Sequence, residues 1–151
     1  MKLFDVNVLV YAFREDAERH SAYRKWLLEV MSEDAAFAIS EQVLAAVLRL
    51  VTHPKIFKEP SPARDVFAFT DVLLGHPSCR IVRPSDGHWA LFHGLCIKAQ
   101  ARGNLVPDAW FAALAMESGC TWITTDRDYA RFPGLRWRHP LDHERDVENP
   151  A

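Results

Sequence analysis

Short apolar runs of β type alternate along this chain with longer segments of helical periodicity, and that alternation limits the folds open to it. Residues 2–5, 36–39, 79–82 and 121–124 read as strands. Between them, residues 20–31 place Tyr23, Trp26, Leu27 and Val30 on one stripe, with Arg24, Lys25 and Glu29 elsewhere. A second helix is expected over 41–52, with Ser40 as its N-cap and Pro54 beyond its end. Its stretch 43–48 is wholly apolar, which predicts a central position. Further helices are expected over 61–74, with Pro62 in the first turn, over 85–101, closed by Gly103, and from Pro107 to 118, closed by Gly119. Strands separated by helices predict an α/β fold, a parallel sheet with helices on both faces.

At 151 residues, 49% hydrophobic and 25% charged, the chain fits one globular domain that buries a continuous core. Residues 1–141 are expected to form that domain, and 142–151, DHERDVENPA, a polar tail. Cys79, Cys96 and Cys120 are odd in number and widely spaced, which argues against a disulfide framework or a zinc site and for a reducing cytoplasm. No apolar run approaches the ~20 residues needed to span a bilayer, and the amino terminus lacks an export pattern. A net charge of −2 neither demands nor excludes a nucleic-acid partner, so any such partner needs a local basic rim.

Four acids fall where this architecture brings chain segments together. Asp5 and Asp126 follow strands, while Glu41 and Asp108 lie in first helical turns. In open α/β sheets, sites form beyond the carboxyl ends of the strands, and a helix that follows a strand begins at that same edge. Carboxylate oxygens are the hard ligands that Mg²⁺ and Mn²⁺ select, and such ions activate water for phosphodiester cleavage. Taken singly, each acid also has an ordinary structural role. The helix dipole favours Glu41 and Asp108, and turns favour Asp5 and Asp126. Two features tip the balance toward a site: Asp5 interrupts an apolar stretch, and Glu41 opens a helix that is apolar on nearly every side.

The segments LFDVNVLVYAF, SEQVLAAVLRLVTHP, GNLVPDAWFAALAMESGCTWITTDRDYARFPGL and RWRHPL, in that order, resemble PIN-domain ribonucleases, and more narrowly the VapC toxins of VapBC toxin–antitoxin pairs. The resemblance implies a three-layer fold with a central parallel sheet in the order 3-2-1-4-5, which sets Asp5 beside Asp126. It also implies a Mg²⁺-dependent endoribonuclease, with Mn²⁺ as a substitute ion, acting often on transfer RNA. A cognate VapB-type antitoxin and a homodimer belong to the same expectation. Asp5, Glu41, Asp108 and Asp126 match the family's acidic set, while Asn7, Asn104, Thr125 and Asp128 match polar positions that orient ligands or water. The chain departs from many relatives at Val6, where they carry Thr or Ser, and the side chain there is expected to point away from the site.

Other residues carry weaker signals. Asp128 is a candidate fifth ligand or a helix-start acid, and Arg127 and Arg131 are candidate phosphate contacts. Trp110 and Phe111 offer either a stacking surface or core packing. His139 and His143 bracket Pro140 and read as surface residues. No His or Lys stands out as a general base, which fits metal-activated water. Three competing readings are a PIN nuclease of RNA processing, a PIN-like module that binds without cleaving, and a phosphotransfer or receiver domain. The intact acidic set disfavours the second. Asn7 and the lack of a late strand-end lysine disfavour the third.

Overall fold

The computed structural model describes residues 1–142. One sheet contains β1 Lys2–Phe4, β2 Phe37–Ile39, β3 Cys79–Ile81, β4 Thr121–Ile123 and β5 Trp137–Arg138. Its order is β3-β2-β1-β4-β5, and every pairing is parallel. Around it run α1 Val6–Phe13, α2 His20–Ser32, α3 Glu41–Val51, α4 Ala63–Leu74, α5 His88–Ala99 and α6 Leu105–Glu117, with a 3₁₀ helix at Arg127–Arg131. The expected α/β fold and strand order are therefore present.

Both faces of the sheet are covered. Consecutive residues of a strand point to opposite faces, yet Leu3, Phe4, Phe37, Ala38, Ile39, Trp122 and Ile123 are all buried. Phe4 stacks on Phe37 and meets the edge of Trp26 from α2, with ring centroids 5.3 Å apart. On the opposite face, Trp122 is paired in register with Leu3 and stacks on Phe111 of α6 at 5.5 Å. The two aromatic pairs fix which helix lies on which side.

Local differences from the sequence reading have identifiable causes. The chain does not continue as a strand beyond Phe4: Asp5 caps α1, its carboxylate accepting from the Val6 N–H. Asp5 thus stands at a strand end rather than inside an apolar strand. Strand β5 lies within RWRHPL and has only two residues, too few for periodicity to reveal. Helix α5 stops at Gln100, which itself adopts the left-handed conformation (φ 50°), while Gly103 (φ 57°) shapes the turn into α6. Pro62 precedes α4 as its cap residue, and Ser40 caps α3 by position without a side-chain hydrogen bond. Helix α3 is amphipathic rather than enclosed: Val43, Leu44, Val47 and Val51 are buried, whereas Glu41, Gln42, Ala45 and Arg49 are exposed. Apart from Asp142, the polar tail, with His143, lies outside the described residues.

Candidate active site

The adjacency of β1 and β4 brings two aspartates to one sheet edge. The Asp5 N–H continues the ladder to the Ile123 carbonyl at 2.9 Å, so the first residue after β1 is locked beside the end of β4. Both Asp5 carboxylate oxygens are occupied. Oδ1 accepts from the Val6 N–H at 2.6 Å, and Oδ2 accepts from the Thr124 hydroxyl at 2.6 Å. The same hydroxyl accepts from the Asp126 N–H at 3.0 Å, so buried Thr124 ties the two strand ends together. Asp126 in turn caps the 3₁₀ helix, Oδ1 accepting from the Asp128 N–H at 2.8 Å.

Asp108 enters from the first turn of α6 and receives the Tyr129 hydroxyl at 3.3 Å. Burial, together with the Asp5 and Asp108 charges, holds the Tyr129 phenol above its ordinary range, so it remains a proton donor. Burial pushes the Asp5 carboxyl up to about 6, with Asp108 and Asp126 adding to the rise and the bonds from Thr124 and Val6 opposing it. Asp108 is raised as well, by burial and then by Asp126 and Asp128, against the bond from Tyr129. These three aspartates therefore share one electrostatic neighbourhood. Among the described residues no Lys, Arg or His pairs with any of them.

Glu41 takes a different partner. Its two oxygens accept from Nε and Nη2 of Arg83 at 2.9 and 3.0 Å, a fork across from the loop after β3. Among the described residues, no three acids, histidines or cysteines stand close enough to hold one ion. Charge thus links Asp5, Asp108 and Asp126, while Glu41 is bound to Arg83.

The donor set still suits a hard divalent cation. Carboxylates that raise one another's pKa without a paired base are relieved by a cation, and their oxygens are the ligand type Mg²⁺ and Mn²⁺ favour.

Residues 2–135 match the PIN-domain family model. The chain is 42% identical over 142 residues to VapC ribonuclease Mb2897 of Mycobacterium bovis, covering 94% of this chain and 97% of that protein. It is 39% identical over 140 residues to ribonuclease VapC25 of Mycobacterium tuberculosis, covering 93% and 99%. The chain belongs to the VapC family of PIN-domain proteins. A solved structure of VapBC2 from Rickettsia felis bound to a DNA fragment from its promoter shares the fold, with a TM-score of 0.67 over 91% of this chain and 96% of that one, at 21% identity.

The remaining residues singled out from the sequence have different surroundings. Asn7 is exposed in the first turn of α1, and Asn104 precedes α6 without bonding its first turn. Thr125 is half-buried, and Val6 is partly buried against the core. Arg127 pairs with Asp142 at 3.3 Å, and Arg131 reaches Asp128 at 4.0 Å; both arginines are well exposed. Phe111 is core packing against Trp122. Trp110 donates its indole N–H to Gln42 at 2.8 Å and packs against His88 and Phe92. His139 packs beside Tyr23, and burial lowers its pKa.

Sequence reading missed Thr124, Tyr129 and Arg83. Thr124 counted only as the last strand residue, although a hydroxyl two positions before Asp126 was the available signal. Nothing local distinguishes Arg83. A further polar cluster was also unforeseen. Glu117 accepts from the Ser85 N–H and hydroxyl at 3.3 and 2.5 Å and meets His88 Nδ1 at 2.8 Å. Burial pushes the Glu117 carboxyl up, but the bonds from Ser85 and His88 outweigh it and leave the group below its ordinary range.

Proposed function

We propose that this protein is the toxin of a VapBC-type pair, an endoribonuclease that requires Mg²⁺, accepts Mn²⁺ in its place, and cleaves RNA, with transfer RNA as the foremost substrate. The observation that carries the reading is the convergence of Asp5, Asp108 and Asp126 at the carboxyl edge of the sheet with no basic partner among the described residues. Relatives at 42% and 39% identity bear the name ribonuclease, which supports the same activity. Asp5, Asp108 and Asp126 would hold the ion and Glu41 would complete the set, their carboxylates drawing closer together around it than they stand in the ion-free chain. When bound, the ion supplies Lewis-acid activation of water and stabilises charge at the cleaved phosphate.

The chain's own residues prepare that site. Thr124 fixes the direction of the Asp5 carboxylate and the backbone of Asp126. Tyr129 sets the rotamer of Asp108 and, being neutral, adds no competing charge. Asn7, Asn104, Thr125 and Asp128 serve in this reading as polar residues that orient ligands or water. Arg127 and Arg131 supply a salt-sensitive attraction to phosphates beside Asp126.

A VapB-type antitoxin silences the enzyme by laying a segment across the acidic edge and placing an Arg or Lys among the carboxylates. The working form is a homodimer in the cytoplasm, where its RNA substrate resides. The described chain contains no helix long and apolar enough to cross a membrane. The test is incubation of purified protein with total RNA and with transfer RNA, in Mg²⁺, Mn²⁺ or EDTA. Cleavage should need the ion and fall by at least about 100-fold in Asp108→Asn, which keeps size and removes charge. Undiminished cleavage in EDTA by a preparation free of contaminating nuclease refutes the mechanism.

A further inference from the structure

We infer that Arg83 is a positioning residue that withholds Glu41, so that a divalent cation and Arg83 compete for one carboxylate. The inference rests on the metal-dependent reading of the site and concerns a residue outside the acidic set. Both oxygens of Glu41 are engaged by the two-pronged guanidinium, so neither turns toward the aspartates without breaking a charge-assisted bond. Glu41 is therefore held by Arg83 in this state.

The fork is braced at both ends. Two residues after Arg83, Ser85 bonds Glu117 through its N–H and its hydroxyl, and buried His88 meets the same carboxylate. Those bonds anchor the β3–α5 loop to the far end of α6. One residue after Glu41, Gln42 accepts from Trp110 of α6, which holds the first turn of α3. Helix α6 thus fixes both partners of the pair while carrying Asp108 in its own first turn. Arg83 and Glu41 are 63% and 53% exposed, so the bond is breakable, and its bidentate geometry places it at the upper end for surface pairs.

Calorimetric titration of the metal-free full chain with Mn²⁺ tests the inference without using catalysis. R83Q should tighten Mn²⁺ binding about three- to fivefold, the equivalent of one exposed bidentate pair. R83K separates the bond from the charge, since an ammonium keeps the field but cannot fork onto a carboxylate. R83K should also bind more tightly than wild type, recovering most of the gain, and E41Q/R83Q should bind no better than E41Q alone. R80Q, which removes an exposed charge whose bonds go to the Pro77 and Cys79 carbonyls and not to an acid, should give the smaller change due to field alone. Tightening in R83Q with R83K equal to wild type would reduce Arg83 to a distant charge and overturn the inference. So would unchanged or weaker binding in R83Q. Absence of Mn²⁺ binding by folded wild type would instead reject the metal reading itself, and the competition with it.

Discussion

Asp5 shows how one residue carries both fold and chemistry. As cap of α1 it bonds the Val6 N–H, as continuation of β1 it bonds β4, and its second oxygen is held by Thr124. With only 7% of its surface exposed, it ionises reluctantly, and its pKa is pushed up to about 6 from an ordinary 3.8. In the metal-free protein this has a definite sign. Between pH ~4 and ~6 the unfolded chain has released this proton while the folded chain retains it, so stability falls as pH rises through that window. The contribution is fully present below ~4 and is lost above ~6, a difference of about 3 kcal/mol by linkage. Asp5→Asn removes the titration while Thr124 can reverse its hydroxyl to accept from the amide. Urea unfolding in EDTA from pH 4 to 7 should therefore show wild type losing stability relative to the variant; parallel pH curves would show that Asp5 is not the titrating group.

At the scale of elements, the ends of β1 and β4 are joined through a hydroxyl. Thr124 donates to Asp5 and accepts from the Asp126 N–H in a fully buried position. Thr124→Val keeps the shape and leaves a buried carboxylate oxygen and a backbone N–H without their partner. It should cost about 2–4 kcal/mol by urea unfolding. Thr124→Ser, which keeps the hydroxyl and loses a methyl group, should cost about 1 kcal/mol. Equal losses in the two variants would mean that packing, not the bridge, sets the role of Thr124. Element boundaries were largely readable because caps and stops are local: Gly119 (φ 67°) closes α6 by supplying a backbone conformation that other residues resist. Helix α1 escaped notice because a run of eight residues that is apolar except for Asn7, directly after a strand, shows no helical period, and only the cap at Asp5 marks the change.

Across the whole molecule, the folded state gathers negative charge at one edge of the sheet. A ligand that binds only that state stabilises it in proportion to occupancy. Wild-type melting temperature should rise by about 5–10 °C at a Mg²⁺ concentration one hundred times its Kd. Asp108→Asn should melt higher than wild type in EDTA, because it relieves repulsion from Asp126 and Asp128, and should respond less to Mg²⁺. Melting curves of both proteins in EDTA and across a Mg²⁺ series decide this. A variant no more stable than wild type in EDTA and equally responsive to Mg²⁺ would make Asp108 a helix-start acid and nothing more.

The sequence by itself determined the α/β class, the positions of four strands and five helices to within a few residues, and the acids that stand at strand and helix ends. Those properties follow from periodicity and from capping, which act over a few neighbouring residues. Tertiary structure alone decided the partners. Thr124 between Asp5 and Asp126, Tyr129 on Asp108, and Arg83 on Glu41 join residues up to 119 positions apart, and no local pattern encodes such a pairing. The chain places a carboxylate at the start of α3 by local rule. Whether that carboxylate faces the aspartates or an arginine is set by how the β3–α5 loop is anchored to α6, a balance of long-range bonds that exists only once the sheet has assembled.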